Sequence, residues 1–80
     1  MDQKDTLVTR LFEVTKKSWN DYEGARRDGD IQRMRSSYDE VTRLLRILHI
    51  SGCQSEVTTF LRQNEMPVRA ILAKIAQNGQ

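Results

Sequence analysis

Between Ile31 and Leu48, six apolar residues recur at spacings of 3, 4, 3, 4 and 3: Ile31, Met34, Tyr38, Val41, Leu45 and Leu48. That rhythm keeps one face of an α-helix apolar and does not suit a strand, whose side chains alternate every second residue. Leu44 and Ile47 broaden the stripe on one flank, while Arg35, Asp39, Arg43 and Arg46 fall mostly outside it. The pattern predicts an amphipathic helix from Ile31 to about His49, with Asp30 as its N-cap. Such a helix is stable only against a second apolar surface, so the rest of the chain must supply one.

The preceding segment, about Thr6 to Arg27, has the same period. Leu11, Val14, Trp19 and Tyr22 define its apolar side, Val8 and Phe12 widen it, and Asp5 is a candidate cap. Glu13 with Lys17 and Glu23 with Arg27 are favourable i,i+4 pairs. Downstream, Ser51 and Gln54 have capping-box spacing, with Ser55 a rival start, ahead of Val57, Phe60 and Leu61 and a stop near Asn64. Pro67 belongs in the first turn of a fourth helix carrying Val68, Ile71, Leu72 and Ile75. The expected fold is all-α: one compact three- to four-helix bundle over residues 1–80, two longer amphipathic helices followed by two short ones. Residues 1–4 and 77–80 are expected to fray.

The stretch Arg26–Met34 holds Arg26, Arg27 and Arg33 around Gly29 and Asp30, with Arg35 just beyond. It lacks the glycine run and terminal Lys-Ser/Thr of a phosphate loop, so it reads as a corner. Gly29 lets the backbone leave the first helix in a left-handed conformation, and Arg26 and Arg27 suit that helix's negative end.

Catalytic chemistry finds no constellation. His49 and Cys53 are the sole histidine and cysteine, four positions apart across an expected helix end, with no third orienting group in the pattern. They read as a helix-terminating histidine and a partly buried thiol. Asp21 with Glu23, Asp28 with Asp30, and Asp39 with Glu40 are not spaced to share a helical face, and Asp39 has Arg43 one turn on. No metal-ligand spacing and no nucleotide fingerprint occurs. A non-enzymatic chain without metal or cofactor is the expectation.

The net charge of +2 comes from both signs mixed along the whole length, unlike the dense one-signed field of a general nucleic-acid binder. A DNA-reading alternative remains in the carboxyl half, where Arg62, Arg69 and Lys74 would make the contacts from a helix–turn–helix-like pair. Against it, Glu65 would oppose phosphates, and the turn has no glycine. The opening residues have no basic start followed by an apolar run, and no stretch approaches the length needed to span a bilayer. An intracellular, cytoplasmic location away from membranes is therefore expected.

A small core and wide apolar helix faces favour binding to another protein or to a second copy. The expected role is a regulatory adaptor, inhibitor or chaperone-like subunit. Its contact residues would be Phe12 and Trp19 on the first helix, with Leu44 and Ile47 between Arg43 and Arg46 on the second.

Overall fold

The computed structural model describes residues 3–78, which form four α-helices: α1 (Gln3–Asp28), α2 (Ile31–Ile50), α3 (Gln54–Gln63) and α4 (Val68–Asn78). Two long helices followed by two short ones is the order the sequence predicts. The 26 residues of α1 rise about 39 Å at 1.5 Å each, which accounts for the 41 Å long axis of the molecule. Of the ends expected to fray, residues 1–2 and 79–80 lie outside the described residues, and 3–4 and 77–78 are helical.

Three corners of one design turn the chain. At the first, the Gly29 N–H donates to the Arg26 carbonyl at 3.2 Å and the Asp30 N–H to the Ala25 carbonyl at 2.9 Å. This pair of bonds closes a helix end when one residue turns left-handed, and Gly29 has φ +72°. At the second, the Gly52 N–H reaches the His49 carbonyl and the Cys53 N–H the Leu48 carbonyl, with Gly52 at φ +95°. At the third, the Glu65 N–H reaches the Arg62 carbonyl and the Met66 N–H the Leu61 carbonyl. Here the left-handed position, at φ +54°, is held by Glu65, whose Cβ makes it costlier than glycine.

Asp30 caps α2 as predicted, its Oδ1 accepting from the Arg33 N–H at 3.1 Å. The other expected starts are corrected. Asp5 lies inside α1 rather than ahead of it. Ser51 closes α2 instead of opening α3: its hydroxyl donates to the Ile47 carbonyl at 2.7 Å. Cys53 is the N-cap position of α3, without a side-chain cap bond, and Ser55 is within the helix. Pro67 stands one residue before α4, its carbonyl accepting the Ile71 N–H.

The core joins Trp19 of α1 with Val41, Leu45 and Leu48 of α2, Val57 and Leu61 of α3, Ile71 and Ile75 of α4, and Cys53 and Met66 from the corners. Burying a side chain of this size stabilises the fold by about 1.5–3 kcal/mol. Two threonines are also enclosed. The Thr15 hydroxyl donates to the Leu11 carbonyl at 2.7 Å and Thr42 to the Asp39 carbonyl at 3.0 Å, so neither is buried without a partner.

Thr15 changes the predicted phase of α1. The inward row runs Val8, Phe12, Thr15, Trp19, Tyr22, at spacings of 4, 3, 4 and 3, and Val14 lies outside it, 43% exposed. On α2 the predicted stripe holds from Met34 to Leu48, but Ile31 stands 65% exposed beside the first corner.

Candidate protein-binding face

Aromatic contacts mark the side of the α1–α2 hairpin that the short helices cover. Phe12 meets Phe60 of α3 with ring centroids 5.1 Å apart. Trp19 stacks on Tyr22 at 4.8 Å, Tyr22 tilts against Tyr38 at 5.6 Å, and the Lys74 ammonium of α4 stands 5.7 Å from the Tyr38 ring centre. Lys74 also pairs with Asp39 at 3.8 Å. Asp39 thus meets α4, not Arg43 one turn along its own helix. Partial burial, and after it the neighbouring Tyr22, raises the pKa of Tyr38 above the ordinary phenol value.

On another flank of the hairpin, Arg33 bridges the helices by itself. Its guanidinium lies 3.8 Å from Asp21 and 3.7 Å from Asp28. Exposed pairs such as these add little stability, but they fix which flanks adjoin. Val14 precedes Asp21 by two helical turns and so shares its flank of α1; Leu7 precedes Val14 by two more. Leu44 follows Arg33 by three turns on α2, with Ile47 one turn beyond. The same seam that carries the Arg33 pairs therefore carries, toward the opposite end, an apolar surface from both helices. Leu7, Val14 and Ile47 are 59%, 43% and 41% exposed; Leu44 is half-buried, and Leu11, also half-buried, packs against the core on its inner side.

The expected contact residues thus divide. Leu44 and Ile47 belong to this surface. Phe12 does not: it lines a separate groove of about 520 Å³ between α1 and α3, with Val8 and Phe60. Trp19 is a core residue and has no surface to offer, because Thr15 and Trp19, not Val14, face inward. Its Nε1 is enclosed with no hydrogen-bond partner within the described residues. Arg43 is exposed and Arg46 half-buried, and both line a polar groove facing α4. Val14, which the apolar pattern places inward, stands at the surface beside Leu7. The signal for Val14 was its seven-residue spacing from both Leu7 and Asp21, which places it on a flank.

Among the residues of the DNA-reading alternative, Arg62 and Arg69 are exposed while Lys74 is engaged with Asp39 and Tyr38. Cys53 is buried in the core, and His49 lies in the last turn of α2. Among the described residues no three of His, Cys, Asp and Glu converge. Nor, among the described residues, is any helix long and apolar enough to cross a membrane. Compared with known proteins, the chain finds no matching family model and no significant match to a curated protein or a solved structure.

Proposed function

We propose that the chain is a non-enzymatic protein-binding module, a small regulatory adaptor, inhibitor or chaperone-like subunit working in the cytoplasm. Its contact surface is the open apolar seam of α1 and α2. The observation that carries this reading is the placement of Leu7, Val14 and Ile47, each well exposed, on adjoining flanks of two helices around Leu11 and Leu44. Scattered apolar residues on a surface need no explanation, but a row shared by two adjacent helices can bury area jointly against an amphipathic helix.

The test is a Leu44→Ser/Ile47→Ser variant, compared with the parent for helicity, cooperative unfolding, mass in solution and partner capture. The reading expects retained cooperative unfolding with loss of self-association or of a captured partner. Unchanged association in a folded variant would remove this seam as the contact surface.

A further inference from the structure

A second site lies on the opposite flank of α2. Arg43 and Arg46, one turn apart on α2, and Lys74 on α4 line a groove of about 430 Å³ together with Thr42 and Asp39. Three cations there face one carboxylate. Asp39 is committed to Lys74 at 3.8 Å, and neither Arg43 nor Arg46 has an acid within salt-bridge distance among the described residues. The Nε of Arg46 has no hydrogen-bond partner among the described residues, so nothing there ties this guanidinium down through it. The residual charge of +2 matches the charge of a phosphate monoester near neutral pH, about −1.5 to −2. Arginine's planar edge suits its oxygens.

The groove does not end at the charges. Asp39 and Lys74 also line the adjoining groove of about 620 Å³, whose other walls are Tyr22, Met34, Arg35, Tyr38 and Pro67. A phosphate held by Arg43, Arg46 and Lys74 therefore has an aromatic and apolar surface next to it for whatever the phosphate is attached to. From this juxtaposition we propose that the α2–α4 groove is a binding site for a phosphate monoester, with Arg43 and Arg46 taking the phosphate and Tyr38 flanking the organic part. The site is distinct from the apolar seam and stands or falls without it.

The experiment follows the arginine Nε–H and backbone amide resonances of the full chain during titration at pH 7.5 and constant ionic strength. The probes are inorganic phosphate, phenyl phosphate and dimethyl phosphate. The expected result is saturable shifts at Arg43 and Arg46 in the millimolar range, tighter for phenyl phosphate than for inorganic phosphate, with the singly charged diester failing to saturate. Arg46→Lys keeps the charge but loses the planar edge and should weaken phenyl phosphate about threefold or more. Asp39→Asn removes a competing negative charge and should tighten it about threefold. Arg69→Gln, on the exposed side of α4, should change nothing. Equal, linear shifts at Arg43, Arg46, Arg62 and Arg69 would overturn the site, since they report screening alone. Saturation by dimethyl phosphate at the same concentration would also overturn it. Should Arg46→Lys unfold, Asp39→Asn and the three probes decide the matter.

Discussion

The two sides of the α1–α2 hairpin carry apolar residues at the same helical spacing and end in different environments. On one, Phe12, Trp19, Tyr22, Val41, Leu45 and Leu48 are covered by α3 and α4. On the other, Leu7, Val14 and Ile47 remain exposed, and the helices are joined across that flank by Arg33 with Asp21 and Asp28. What separates them is the cover, not the hairpin. Two turns, at Gly52 and Glu65, fold the short helices back onto one side only. A stripe of apolar residues thus marks a helix face, while the corners decide whether the same chain covers it.

Mutations should separate the two sides sharply. Leu45→Ala or Leu61→Ala leaves a cavity under the cover and should cost about 2–5 kcal/mol, read as a lower urea midpoint, a large share of a small domain's stability. Val14→Ser with Ile47→Ser should change stability by less than about 1 kcal/mol, because both residues already meet solvent. A loss as large as that of Leu45→Ala would mean the open side is part of the core.

The corners come next. Asp30→Ala removes the bond to the Arg33 N–H and should cost about 1 kcal/mol. Gly52→Ala forces a Cβ into the left-handed region at the hinge of the cover and should cost about 1 kcal/mol, although no atom lies within 4 Å of that Cβ. Glu65→Gly runs the opposite way. Strain at φ +54° is relieved while the unfolded chain gains freedom, so stability should rise by only a few tenths of a kcal/mol, or about 0.5.

A smaller effect marks the covered edge. The raised pKa of Tyr38 means the folded chain holds that proton more tightly than the unfolded chain does. The unfolded state loses its proton first as pH rises through about 10, so stability is intact below that value and declines above it. Urea midpoints between pH 8 and 11 should show the decline, and Tyr38→Phe should flatten it.

Much of this was legible in the sequence, and the failures share a cause. The bounds of α2, the Asp30 cap, the left-handed Gly29 and the stop at Asn64 all depend on interactions within a few residues. The apolar pattern places Val14 on the inward side of α1, but that side holds Thr15 instead. The Thr15 hydroxyl bonds to its own helix, which lets its methyl group face the core. Asp39 has Arg43 one turn along its own helix, but the fold brings it to Lys74 from 35 positions away. Ser51 has two uses within reach, and the Ile47 carbonyl at the end of α2 took its hydroxyl. The contact residues were legible only as a class. Periodicity marked Phe12, Trp19, Leu44 and Ile47 as apolar helix positions, and only the placement of α3 and α4 sorted them into groove, core and open seam.

Photo-crosslinking from each side tests the central claim most directly. A photoreactive phenylalanine analogue is installed at Ile47 on the open seam or at Ala73 on the exposed side of α4, and the chain is irradiated in the cells that make it. The account predicts discrete adducts, to a second copy or to another protein, from position 47 and not from position 73, with both chains folding cooperatively. Adducts from position 73 alone, or no discrete adduct from position 47 in a folded chain, would contradict it.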